Sequence, residues 1–116
     1  SSALAASVRI GTVTDVDDIP DAVPYVYTLE QNYPNPFNPE TQIRFSLARA
    51  SQVDLSVYNV LGRRVTTLID VNMPAGEHSV QWDGTDHTGR SVASGMYLYR
   101  LTTDEYSSNR KMLLLK

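Results

Sequence analysis

The chain has 116 residues, no cysteine, 41% hydrophobic residues and a formal charge of −3. That length suits a single domain, large enough to bury a core without a covalent or metal staple. The missing Cys excludes a disulfide framework, a thiolate metal site and a thiol nucleophile. The small net charge gives no global reason to expect nucleic acid or an anionic membrane as partner. No run approaches the roughly 18 apolar residues of a membrane span. Ala3-Leu4-Ala5-Ala6 is too short for the apolar region of a secretory leader and has no basic flank.

Charge is uneven along the chain. Residues 1–39 hold five acids (Asp15, Asp17, Asp18, Asp21, Glu30) and one base, Arg9, a balance of −4, whereas residues 40–116 hold eight acids and nine bases. Five of the six prolines also lie in the front part, and each biases the residue before it toward extended backbone. Residues 1–24 are therefore expected to form an acidic linker or tail, and residues 25–116 the folded domain. Asp15, Asp17 and Asp18 invite a calcium reading. The calcium loop, however, needs acids at alternate positions, a Gly and a distal Glu, and no Gly follows within the cluster. A solvated linker is the expectation.

Beyond the linker the apolar pattern has period two. Segments near residues 26–30, 41–47, 52–59, 64–69, 77–82, 95–103 and 109–116 read as strands. Ile43, Phe45 and Leu47 alternate with polar residues, as do Val53, Leu55 and Val57, and Val80 with Trp82. Tyr97, Tyr99 and Leu101 oppose Met96, Leu98 and Arg100, a pattern for the middle of a sheet. Turn signals separate the runs, among them Leu61-Gly62, Pro74-Ala75-Gly76, Asp83-Gly84, Ser94-Gly95 and Asp104-Glu105. Seven short strands at intervals of roughly ten residues predict an all-β, immunoglobulin-like antiparallel sandwich.

Candidate chemistry is sparse. His78 and His87 with Asp83 and Asp86 supply a zinc ligand set on paper, yet Asp, Gly, Thr and His are also the contents of a tight connection. Ser91 lacks the second Gly of a nucleophile elbow and the strand-to-helix turn it requires. Asp54, Asp70 and Glu77 offer no paired-carboxylate spacing. No catalytic, cofactor or metal residue is therefore assigned. Trp82 with Tyr25, Tyr27, Tyr33, Tyr58, Tyr97, Tyr99 and Tyr106 raises a sugar-binding platform, against which stands the ordinary place of aromatics in strands and cores. Arg63, Arg64, Arg90 and Arg100 make only a generic basic set, and nucleic acid is not expected. The stretch Asn32-Tyr33-Pro34-Asn35-Pro36-Phe37-Asn38-Pro39 is more informative. Its prolines forbid helix and deny donors to a central ladder. Tyr33 and Phe37 are large apolar side chains unlike those of a polar linker. An extended segment pinned to a sandwich edge by its aromatics, capping the sheet against edge-to-edge association, is expected.

Residues 29–41, Leu-Glu-Gln-Asn-Tyr-Pro-Asn-Pro-Phe-Asn-Pro-Glu-Thr, strongly resemble the opening of the type A C-terminal sorting domain of the type IX secretion system. The resemblance continues in register. Val57 to Val65 looks like the family's central strand, its Gly62 turn and the next strand. Gly76 followed by His78 to Trp82, Asp83 and Gly84 matches the Gly-to-Trp-Asp-Gly block. Gly89 and Ser94-Gly95-Met96-Tyr97 to Leu101 match the penultimate hairpin. Arg110 to Lys116 resembles the closing strand. Residues 1–24 lie outside the match, and Asp104 to Ser107 lacks the Gly often found before the last strand. The same pattern is shared with the immunoglobulin-like domain of flagellar hook-capping proteins.

The resemblance implies a non-enzymatic address label. It would direct an upstream passenger in the same chain through the periplasm and across the outer membrane, for release or surface attachment. Its implied partners are the translocon and a sortase-like peptidase that joins some passengers to anionic lipopolysaccharide. On this reading the hinge or cleavage stretch is residues 14–25. Translocon recognition is expected on Arg110, Lys111, Leu113 and Lys116. Strand addition at an exposed edge is one route to docking or to a weak homodimer. The alternatives are a carbohydrate-binding or structural immunoglobulin-like accessory module of a secreted enzyme.

Overall fold

Alternating apolar residues put one face of each strand on a common interior. A computed structural model describes residues 25–116, with seven strands and no helix among them. These are β1 (Thr28–Leu29), β2 (Thr41–Leu47), β3 (Ser51–Asn59), β4 (Arg64–Met73), β5 (Gly76–Trp82), β6 (Gly95–Thr102) and β7 (Ser107–Leu114). They build two antiparallel sheets, β1-β2-β5 and β4-β3-β6-β7. The chain is thus the all-β, immunoglobulin-like sandwich its periodicity indicates. The acidic linker, the Asp15, Asp17 and Asp18 cluster and most of the hinge stretch lie outside the described residues.

The inward set follows the sequence alternation. Ile43, Phe45 and Leu47 of β2 line one wall, paired in register with Val80, His78 and Gly76 of β5. Val53, Leu55 and Val57 of β3 line the other, with Leu55 opposite Leu101 and Val57 opposite Tyr99 of β6. Those β2, β3 and β6 side chains are buried, together with Trp82, Met112 and Leu114. Burying each such group contributes about 1.5–3 kcal/mol. Trp82 joins the two sheets: it meets Tyr97 edge-on at 5.5 Å and Phe37 at 5.7 Å between ring centroids. Its indole N–H donates to the Thr85 carbonyl at 2.9 Å.

Several boundaries differ from the sequence reading, among them those of β4, β5 and β7. β4 continues past Ile69 to Met73, because Asp70, Val71, Asn72 and Met73 find partners in Asp54, Val53, Gln52 and Ser51. Gly76 belongs to β5 rather than to the turn before it. β7 begins at Ser107, paired with Thr102, and ends at Leu114. β6 is central, flanked by β3 and β7. Its outer face stays partly open, with Leu98 half-buried and Met96 exposed. There the Arg100 guanidinium lies 5.2 Å from the Tyr58 ring centre, a cation–π contact. At its start Tyr97 donates from its hydroxyl to the Ala93 carbonyl at 2.6 Å, the geometry of a tyrosine corner.

Candidate functional site: the proline-rich segment and the last strand

The residues that open and close the family-like pattern lie side by side. Residues 29–37 run alongside the outer edge of β7, and Phe37 forms a parallel bridge with Leu114. The Phe37 N–H donates to the Leu113 carbonyl at 3.0 Å, and the Leu115 N–H donates to the Phe37 carbonyl at 2.9 Å. Between these and the start of the segment, side chains make the bonds that a backbone ladder would otherwise make. Asn35 accepts at Oδ1 from the Leu113 N–H at 3.0 Å, and Gln31 Nε2 donates to the Lys111 carbonyl at 2.7 Å. Arg110 Nε donates to the Leu29 carbonyl at 2.5 Å. Phe37 is buried against Trp82.

The bonds that Asn32 makes fix the segment on its other side. Its Nδ2 donates to Thr41 Oγ1 at 2.9 Å and to the Pro34 carbonyl at 3.1 Å. Its backbone N–H donates to the Tyr99 hydroxyl at 2.8 Å, and that hydroxyl donates onward to the Glu30 carbonyl at 2.6 Å. Burial pushes the Tyr99 phenol up to about 12, against the Asn32 N–H and the nearby Arg110, which pull it down. Gly84 closes the far end. With φ at +76° it turns under Pro39, and a Cβ there would stand 3.2 Å from the Pro39 carbonyl oxygen, so the Trp-Asp-Gly turn and the proline segment require each other's shape.

The structure therefore brings together Asn32, Pro34, Asn35, Phe37, Pro39, Trp82, Gly84 and the last strand. Tyr33, Pro36 and Asn38 are exposed on the segment's outer side. Asp83 accepts at Oδ1 from the Thr85 hydroxyl at 2.5 Å. Gly62 and Gly95 both carry positive φ. Gly95 pairs with Leu114. Of the four residues singled out for translocon recognition, only Lys111 and Lys116 are exposed without a side-chain bond among those described; the Arg110 guanidinium is turned onto the backbone, and Leu113 is half-buried.

The closed edge bears on strand addition. The outer edge of β7 is not the exposed edge that strand addition needs. From Lys111 to Leu115 it is occupied by Gln31, Asn35 and Phe37, so neither a second copy nor a translocon strand has free groups to pair with there. Sequence reading also missed Tyr99 as the bolt of this assembly. It appears as one more strand aromatic, and nothing near it in sequence marks a hydroxyl bonded to residues 30 and 32.

The other candidates sort by position. His78 lies on β5 with Nε2 donating to the Pro74 carbonyl at 2.8 Å, and His87 lies in the loop after β5, its backbone N–H on Val65. That loop is a hydrogen-bonded connection. Asp86 Oδ1 accepts from the Thr88 hydroxyl and the Thr88 and Arg90 backbone N–H groups. The Thr88 hydroxyl bond, foremost among these, holds the carboxyl below its ordinary value. No three His, Asp or Glu among the described residues are grouped to hold a metal. The sugar platform loses Trp82 and Tyr99, which are 2% and 0% exposed. Tyr27 is stacked on Tyr106 at 5.1 Å. Tyr25, which borders a shallow groove of about 850 Å³ over the outer face of β1 and β2, and Tyr33 remain open to solvent.

These features define an immunoglobulin-like β-sandwich module whose leading segment is built into its closing strand. The FlgD Ig-like domain model matches residues 35–107, and the chain belongs to that family. No match was found among curated protein sequences. Solved structures share the fold. Dimeric latent PorU from Porphyromonas gingivalis aligns with a TM-score of 0.64 at 23% identity, over 89% of this chain and 10% of its own. PorZ, described as an essential surface component of the type IX secretion system of the same organism, aligns with a TM-score of 0.53 at 20% identity, over 78% of this chain and 11% of its own. FlgD of Xanthomonas campestris, a flagellar hook-capping protein, aligns with a TM-score of 0.54 at 24% identity over 78% of this chain. The chain spans about a tenth of PorU and PorZ and 66% of FlgD.

Proposed function

We propose that residues 25–116 are a non-enzymatic C-terminal sorting domain. It would direct an upstream passenger across the outer membrane by the type IX secretion system, for release or surface attachment. The observation that carries this reading is the direct bonding of Asn35 and Phe37 in the opening motif to Leu113 and Leu115 in the closing strand. A label read at its last strand needs that strand held in one shape, and the opening motif holds it. The family's immunoglobulin-like character and the fold shared with PorU and PorZ are in keeping with it.

Recognition then falls to the side chains left free on β7 and beyond, Lys111 and Lys116, rather than to its backbone. A sortase-like peptidase would act ahead of the domain, in the stretch at residues 14–25. Residues 1–24 would serve as acidic linker or passenger tail. Strand addition, to a partner or to a second copy as a weak homodimer, would be left to edges other than β7.

The test is export of a periplasmic reporter fused to residues 25–116 in a host that has this secretion system. Export is the expected result. A folded fusion that stays in the periplasm sinks the proposal. Lys111→Gln with Lys116→Gln is expected to keep the fold and lower export.

A further inference from the structure

One end of the four-stranded sheet carries an apolar, basic projection that the sorting role does not use. The β3–β4 hairpin turns through Asn59 to Arg63. Asn59 Oδ1 accepts from the Leu61 N–H at 2.9 Å and the Arg63 N–H at 3.1 Å. The Asn59 N–H donates to the Arg63 carbonyl at 3.0 Å, and the Gly62 N–H donates to the Asn59 carbonyl at 3.0 Å. With Gly62 at φ +81°, these four bonds hold the turn in shape.

Turn tips ordinarily hold polar residues. Here the two at the apex are Val60, 69% exposed, and Leu61, 75% exposed. The next two residues are Arg63 and Arg64 across Gly62, both exposed. Register places further groups at the same end: Asn59 pairs with Tyr97, and Gly95 pairs with Leu114. The hairpin tip, the start of β6 and the end of β7 therefore share it. Met96 and Leu115 are exposed there, beside Lys116. The carboxylate on the adjoining loop, Asp86, is bonded to Thr88 and Arg90 N–H groups.

We propose that this end binds an anionic lipid surface, with Val60 and Leu61 entering the boundary between headgroups and acyl chains and Arg63 and Arg64 on the phosphates. The projection is convex, with an apolar leading edge and a basic collar. That shape and charge suit a fluid, negatively charged bilayer, since a protein partner would need a concave, acid-rimmed pocket to receive it. The attraction is local, because the chain as a whole carries −3. It goes beyond the sorting role and does not depend on it.

The test uses the full chain and flotation with vesicles of phosphatidylcholine alone and of equimolar phosphatidylcholine and phosphatidylglycerol. Binding to the mixed vesicles is expected, weakening with salt, with little binding to phosphatidylcholine alone. Val60→Ser with Leu61→Ser, which leaves Asn59 and Gly62 in place, is expected to keep the melting temperature and weaken binding at least about tenfold. Arg63→Gln with Arg64→Gln is expected to weaken it by roughly thirtyfold. The proposal is overturned if the unaltered chain ignores the mixed vesicles. It is also overturned if the Ser variant, folded, binds them as well as the original does.

Discussion

Among the described residues, the two edges of the four-stranded sheet are finished in opposite ways. On one side, β7 is closed from Lys111 to Leu115 by the proline-rich segment, which supplies both backbone and side-chain partners. On the other, β4 receives from the described residues a loop bond, from the His87 N–H to the Val65 carbonyl, and Val71 near its far end is exposed. A strand edge is a template for unwanted pairing. The chain seals the edge belonging to the residues that resemble a sorting signal and leaves the other lightly covered. What this teaches is that the last strand is structural first. On the proposed sorting role, recognition would be confined to the side chains that the seal leaves outside.

Breaking the sealed edge should therefore cost much more than disturbing the open one. The largest effect is expected from deleting residues 110–116. That removes the buried Met112 and Leu114, each worth about 2–5 kcal/mol, against a total stability of about 5–15 kcal/mol for a domain. Loss of the cooperative melting transition is expected, so the deletion reports on folding before it reports on export. Next comes Phe37→Ala, which empties the space beside Trp82 and is expected to lower stability by about 3–5 kcal/mol in denaturant titration.

Tyr99→Phe removes only a hydroxyl but leaves the buried Asn32 N–H without an acceptor, a loss of about 1–3 kcal/mol. It also has a pH signature. The folded-state value of about 12 lies above the ordinary 10.0. The hydroxyl's contribution is thus complete below pH 10 and is lost as pH rises toward 12. A denaturant midpoint that falls between those limits in the original chain, and falls less in Tyr99→Phe, is the expected outcome. The smallest effect belongs to the open side: Val71→Thr on β4 should change stability by no more than about 0.5 kcal/mol.

Much of this was readable in the residues. Period two at Ile43–Leu47, Val53–Val57 and Tyr97–Leu101 fixes strand faces because one face is buried, and the prolines at 34, 36 and 39 mark an extended capping segment. Which edge they cap was not readable. The bonds run between residues about 80 positions apart, as from Gln31 to Lys111, and no local pattern encodes such a pairing. The Tyr99 bolt was hidden for the same reason. The apolar hairpin apex was hidden differently. Leu61-Gly62 reads correctly as a turn, but exposure of Val60 and Leu61 depends on Asn59 bonding the turn from within. Asp70 and Asn72 disguised the end of β4, since polar residues on an exposed strand look like the start of a loop.

The sealed edge is tested most directly by native-state hydrogen exchange at the Phe37, Leu113 and Leu115 amides. If the proline-rich segment and β7 fold as one unit with the core, these amides exchange only by global unfolding, with the same opening free energy as the β3 and β6 amides. Exchange of the Phe37 and Leu115 amides through a low-energy local opening, while β3 and β6 stay protected, would contradict it.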